Sequence, residues 1–202
     1  MKKLSTLCIS VFILLMLSSA YAGDKGNTWN DSFGKAKKTL EHEDYKDHRT
    51  TFYCGCSYDE HKNVQSCQNY APVKEGKRSG RVEWEHIVPA IGEVNGLRSN
   101  YRFGMVAGKV YIEACNMKID KEARTVEPPK RIRGDIARTY KYMDQAYPGK
   151  GIIGKASEKL FDAWDRQDPV DKWECQRANR IEAIQKNVNP IVKEQRKKAG
   201  LW

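Results

Sequence analysis

Glu85 and His86 stand side by side in the run RVEWEHIVPAIGEVNGLRSN, Arg81 to Asn100. An imidazole accepts and returns a proton near neutral pH, and a carboxylate holds a hard cation such as Mg²⁺. Hydrolysis of a phosphodiester asks for such a pair: a base to deprotonate water, a cation to offset charge on the phosphorane, and help for the departing oxygen. His86 is the candidate base and Glu85 the candidate metal ligand. One carboxylate is a thin start for such a site, because Mg²⁺ keeps several waters and takes few protein ligands. A plainer reading stands beside this one. His86 falls on the same face as Trp84 and Val88, where a histidine is commonly satisfied in the core, and Glu85 is then an ordinary solvated acid.

The element that must position the pair is the alternating run Arg81 to Val88. Val82, Trp84, His86 and Val88 share one face of a strand; Arg81, Glu83, Glu85 and Ile87 share the other. Adjacent strand residues point apart, so Glu85 and His86 meet one phosphate only if the strand bends or ends there. Pro89 supplies the stop, or moves the strand to an edge. Ile91 to Leu97 reads as a short helix ending near Gly96.

Elsewhere the pattern is mixed. Trp29 to Tyr45 carries Phe33, Ala36 and Leu40 at helical spacing. Thr50 to Tyr53 reads as a strand ending in the Cys54-Gly55-Cys56 turn, His61 to Gly80 as mostly loop, and Lys109 to Ile119 as a second strand. Beyond the Pro128-Pro129 break the chain turns helical. Ile132, Ile136, Tyr140, Met143 and Tyr147 form one stripe, closed by Pro148-Gly149. Leu160, Phe161 and Trp164 mark a second helix, and Asp171 with Glu174 has capping-box spacing for a third. The class is α+β, a small β-rich centre with a helical C-terminal half.

Lys2 and Lys3, the apolar run Leu4 to Leu17 and Ala20-Tyr21-Ala22 have the form of a secretory signal peptide over residues 1–22, leaving one domain at 23–202. The apolar run is too short to span a bilayer comfortably, so no stable membrane insertion is expected, and the protein is periplasmic or secreted. Removal of Lys2 and Lys3 takes Lys+Arg from 36 to 34 against 26 acidic residues, a balance of +8. An exported basic domain suits a polyanion such as nucleic acid, lipopolysaccharide or a membrane surface, or simply has a basic, soluble exterior.

Cys54, Cys56, Cys67, Cys115 and Cys175 remain after the leader, and in an oxidising compartment they should pair. A bridge across Gly55 alone would be strained, so Cys54 or Cys56 reaches Cys67. The alternative is a zinc cluster of Cys54, Cys56, His61 and Cys67, whose first spacing is shorter than usual. An odd number leaves one thiol over.

The strings RVEWEHIVPA, IGEVNGLRSN, Cys115-Asn116-Met117, EPPKRIRGDIARTYKYMDQAYP and DPVDKWECQR resemble the endonuclease I family of exported bacterial nucleases, in chain order from about Cys54 to Pro190. The resemblance implies a ββα-metal nuclease core and Mg²⁺-dependent, sequence-nonspecific cleavage of DNA, and also of RNA; a monomer is the expected state. It makes the histidine of WEH, His86, the general base and the preceding Glu85 the metal ligand. Two departures matter. Val88-Pro89-Ala90 runs straight into Ile91-Gly92-Glu93, where family members carry several tens of residues that include a second metal ligand, a phosphate-binding arginine and two cysteines. On this resemblance the ββα core is incomplete, the His86 strand lacks its hairpin partner, and activity is reduced or lost; Glu93 and Asn95 are near enough in sequence to serve as substitute ligands, with helical surface packing the plainer role for both. The family's last cysteine is also absent, with Arg196 near its place, so one cysteine is left without a partner. A protein that binds nucleic acid without cutting, or a decayed remnant, are the competing outcomes.

Arg124, Lys130, Arg131, Arg133 and Arg138 cluster around Pro128-Pro129. Arg124, Lys130, Arg131 and Arg133 are the candidate phosphate contacts, which would make affinity salt-dependent. A solvated helix face paired to Glu127 or Asp135 explains the same residues. Lys193, Arg196, Lys197 and Lys198 read as a frayed, solvated tail.

Overall fold

In the computed structural model, residues 32–67, 70–74, 76–86 and 88–201 are described. The expected leader at 1–22 lies outside them. The first helix, α1 (Phe33–Thr39), is opened by Ser32, whose side chain accepts from the Lys35 backbone N–H at 3.2 Å. It runs on as one wider, π-helical turn, Leu40–Asp44. The helix expected over Trp29 to Tyr45 is present from Phe33 to Asp44; positions 29–31 lie outside the described residues.

Three small sheets follow. Strands β1 (Ser57–Tyr58) and β2 (Val64–Ser66) pair antiparallel. Strands β3 (Val82–Glu85) and β4 (Val88–Ile91) form a hairpin that leads at once into α2 (Gly92–Arg98). In the third sheet β7 (Thr125–Glu127) is central, parallel to β5 (Arg102–Phe103) and antiparallel to β6 (Lys118–Asp120). The helical half comprises α3 (Arg133–Ala146), α4 (Lys155–Gln167), α5 (Lys172–Gln185) and α6 (Pro190–Lys198). The architecture is α+β, as the sequence indicates.

Several local expectations need correction. The strand expected at Thr50 to Tyr53 is not one. Thr50 makes an isolated bridge to Ser57, and Thr51 turns the chain by exchanging bonds with Cys56, backbone N–H to carbonyl at 2.8 Å and Cys56 N–H to the Thr51 hydroxyl at 2.9 Å. The run Lys109 to Ile119 is interrupted by a 3-10 turn, Glu113–Cys115, after which Asn116 takes the left-handed conformation at φ 50°. Asn tolerates that region better than other non-glycine residues, so the apolar alternation there does not become a strand. The tail is not frayed. Asn189 caps α6 through Ile191 and Val192 N–H, Pro190 occupies the first turn, and Arg196 is buried against Asn179 and Glu182.

The main core joins the hairpin to the helical half. Ala90, Ile91 and Val94 from β4 and α2 meet Phe103 and Val126 from the third sheet, Met117 just before β6, and Ile136, Ala137, Phe161 and Trp164 from α3 and α4. Cys54 is bonded to Cys115 and Cys56 to Cys67. The zinc alternative falls, because its thiols are consumed in disulfides. Cys175 is the free, buried cysteine among the described residues, so one cysteine is indeed left over.

Candidate active site

Register decides what the hairpin presents. Val82 pairs with Ile91, Glu83 with Ala90, Trp84 with Pro89 and Glu85 with Val88. His86 follows the last paired residue of β3 and lies in a turn. The strand therefore ends at Glu85 and has a partner, contrary to the expectation that the His86 strand would lack one. Pro89 does not stop a strand either; it sits inside β4. Gly92 N–H donates to the Arg81 carbonyl at 2.9 Å, which makes 81/92 a hydrogen-bonded pair. By alternation the Trp84/Pro89 pair is a non-hydrogen-bonded one, so the missing N–H of proline is not missed.

His86 projects from this turn, exposed, with φ 51°. The core-histidine alternative fails on that exposure. A non-glycine residue is held in left-handed backbone only when its surroundings over-determine it, and here the two paired strands do so.

Glu85 is the opposite case. It is 6% exposed, and the Nε of Arg98 lies 2.9 Å from its Oε1. Glu83 and Glu85 are two apart on one strand face; Asn95 and Arg98 are three apart on one helix face. The packing of β3 on α2 matches them in order. Asn95 donates to Glu83 at 3.3 Å, while Arg78 grips Glu83 with two arms at 2.9 and 2.6 Å. Gly92 makes this approach possible, since a Cβ there would lie 2.8 Å from Glu83 Oε1 and 2.9 Å from the Arg78 carbonyl.

Burial raises the Glu85 pKa above the usual carboxylate range; Arg98, the Tyr53 phenol and His86 pull it back. The Tyr53 pKa in turn is pushed well up, by burial first and then by the charge of Glu85. Oε2 of Glu85 is buried without a well-formed hydrogen bond. Tyr53 reaches the site because Phe52 N–H donates to the Pro89 carbonyl at 2.8 Å, and Arg131 Nη2 donates to the Phe52 and Tyr53 carbonyls at 2.9 and 2.8 Å.

These residues do not fit a Mg²⁺ ion as they stand. Mg²⁺ demands a near-octahedral oxygen shell, largely water, around one or two carboxylates. Glu85 is nearly closed to solvent and already faces a guanidinium. No group of three or more His, Cys, Asp or Glu side chains among the described residues is placed to hold a metal. The two substitute ligands are engaged elsewhere. Glu93 accepts from the Tyr70 hydroxyl at 2.6 Å and from Val73 and Lys74 N–H at 3.2 and 2.5 Å, and Asn95 serves Glu83.

The basic cluster separates into parts. Arg133 is buried, bonded to Glu127 at 2.6 Å and stacked over Trp164. Arg138 is buried within an acidic nest of Glu174, Asp165 and Asp135. Arg131 holds the Phe52–Tyr53 segment. Arg124 is exposed, bonded to Asn100 and stacked over Tyr101. Lys130 is exposed. Sequence reasoning missed Arg98 and Tyr53. Position 98, three residues after Asn95 on a helix facing the acidic side of the strand, was the available signal.

Comparison with known proteins bears on this arrangement. An extracellular deoxyribonuclease of Aeromonas hydrophila is 39% identical, covering 81% of this chain and 90% of its own length. A periplasmic deoxyribonuclease of the same organism is 37% identical, covering 75% and 81%. An extracellular ribonuclease of Bacillus subtilis is 34% identical over 53% of this chain and 42% of its own. The first match runs over 208 positions, whereas 81% of the 202-residue chain is about 164 residues, so about 44 positions of that relative have nothing opposite them. The model of the family described as Endonuclease I matches residues 30–196. The chain belongs to the Endonuclease I family.

Proposed function

We propose that this protein is an exported nuclease that hydrolyses phosphodiester bonds of DNA, with His86 as general base and a ββα unit of β3, β4 and α2 as its core. The observation that carries the proposal is the exposed His86 in the turn between β3 and β4, in a chain of this family. There an imidazole meets a phosphate from solvent without unfolding anything, and deprotonates water. The exported setting is supported by the extracellular and periplasmic relatives and by the leader-like residues 1–22. RNA is the second substrate, supported by the ribonuclease match over half the chain. The unmatched positions are assigned to the Ala90–Ile91 join, which β4 now crosses as one continuous strand.

Of the four candidate phosphate contacts Arg124, Lys130 and Arg131 are exposed, and Arg131 is committed to the Phe52 and Tyr53 carbonyls, so Lys130 and Arg124 are the better placed to meet phosphate charge. Arg131, beside Lys130, is linked through Phe52 and Pro89 to the hairpin that carries His86. The Glu85–Arg98 pair favours a second outcome, in which nucleic acid is bound and cut slowly or not at all. Loss of one metal ligand lowers a rate on the order of a hundredfold.

Plasmid nicking in Mg²⁺ beside His86→Ala tests both. The nuclease reading expects the variant to fall to background with an unchanged melt. If the wild type nicks no faster than the variant yet retards DNA at low salt, binding without cutting is the function.

A further inference from the structure

We infer that Arg98 is the resident cation of Glu85, and that its guanidinium closes the position a divalent ion would take beside that carboxylate. The inference rests on the nuclease reading only for the comparison with a metal-dependent family; its evidence is the ion pair itself.

Arg98 is not a passing neighbour. Its Nε stands 2.9 Å from Glu85 Oε1, an ion pair by distance whose N–H is not aligned for a hydrogen bond, and both side chains are more than nine-tenths buried. Its Nη1 donates to the Ser99 carbonyl at 2.8 Å, and its guanidinium lies over the Phe103 ring at 4.7 Å. Ser99 is itself fixed at the end of α2, with φ 51° and its N–H on the Asn95 carbonyl. The cation is thus held by the carboxylate, a carbonyl and an aromatic face together. A planar guanidinium is the cation best suited to this burial, because it is weakly hydrated and its charge cannot be titrated away.

A divalent ion would meet three obstacles at the same carboxylate. It would sit beside a like charge. It would lose the waters that Mg²⁺ keeps, because Glu85 is 6% exposed. Among the described residues it would also find neither nearby substitute ligand free, since Glu93 is tied to the 70–74 segment and Asn95 to Glu83. Glu85 is therefore a positioning residue here: with Arg98 it latches the end of β3 to α2, directly beneath the turn that presents His86.

Mn²⁺ titration followed by electron paramagnetic resonance, on the full chain and on Glu85→Met, gives the first readout. No Glu85-dependent uptake is expected. One Mn²⁺ per chain, lost in Glu85→Met, would overturn the inference. Thermal melts of Glu85→Met, Arg98→Met and the double variant give the second. Each single variant leaves a buried charge unpaired and should melt about 10 °C lower, whereas the double variant should regain most of that loss. Strictly additive losses would show that the two residues are not a pair, and would overturn the inference equally. Neither readout involves cleavage, so failure of the nuclease reading in the nicking assay is a separate result.

Discussion

Arg138 holds Glu174 with both arms of its guanidinium, Nε to Oε1 at 2.8 Å and Nη2 to Oε2 at 2.6 Å, across 36 residues of chain. Nη1 takes Asp165 at 3.0 Å and the Asp168 carbonyl at 2.7 Å. One side chain thus ties α3 to α4 and α5. Arg138→Ala leaves Glu174 buried and unpaired, which should cost about 3–5 kcal/mol in urea unfolding. Arg138→Lys should also lose stability, because a single amine cannot form the fork. A variant that unfolds at the wild-type midpoint would sink this account.

The basic residues should divide by burial. Lys130→Ala and Arg124→Ala are expected to weaken DNA binding at low salt, each lowering the salt slope by about one, with unchanged melts. Arg133→Ala is expected to lower the melt instead, since it strips Glu127 of its partner at 2.6 Å. Gel retardation at three salt concentrations, beside melts, separates the two kinds. Equal loss of binding by all three folded variants would contradict the division.

Asp44 makes stability depend on pH. Burial pushes its pKa from 3.8 up to about 6, against the pull of Arg177 and Arg180. The folded state then holds a proton between roughly pH 4 and 6 that the unfolded chain releases, so this contribution falls as pH rises through that window. Asp44→Asn should stabilise the protein at pH 8 by roughly 3 kcal/mol and have little effect at pH 4. The check is a pair of urea titrations at those two values; a gain of the same size at both would refute the titration of Asp44 as its source.

The thiols give a count. Cys175 is 3% exposed and burial raises its pKa, so native protein lacking residues 1–22 should resist thiol reagents and release one equivalent on unfolding. Removing Cys54–Cys115 should destabilise more than removing Cys56–Cys67, by about 4 against about 3 kcal/mol on the loop-entropy estimate for separations of 61 and 11. Mass spectrometry after alkylation, with and without denaturant, reads the first; paired Cys→Ala melts read the second.

What the sequence reveals is mostly what local rules encode. The Asp171–Glu174 spacing marks the start of α5, and the Asp171 side chain does accept from Glu174 N–H at 2.7 Å. The stripe from Ile132 to Tyr147 becomes α3, whose buried face includes Ile136 and Ala137. Short-range strain alone indicates that Cys54 or Cys56 reaches Cys67; that it is Cys56 is seen only in the structure. The hairpin is harder, because His86 is not a residue that turns favour, and Pro89 looks like a stop until its pairing position is known. The ion pair of Glu85 with Arg98 is harder still. It depends on how a strand face and a helix face are phased against each other, which no window of sequence contains. Asn189-Pro190 is a legible helix start, a capping residue followed by proline in the first turn, and it outweighs the charge run behind it.

The left-handed backbone at His86 has a consequence for how this protein can change. A side chain there carries a conformational penalty on the order of 1–2 kcal/mol that glycine escapes and asparagine largely escapes. A population of variants selected only for surviving heat should therefore discard the imidazole early, as a route to a sturdier turn. Selected for digesting nucleic acid, the same population should keep it. The tip of the hairpin is where robustness and chemistry compete for a single position.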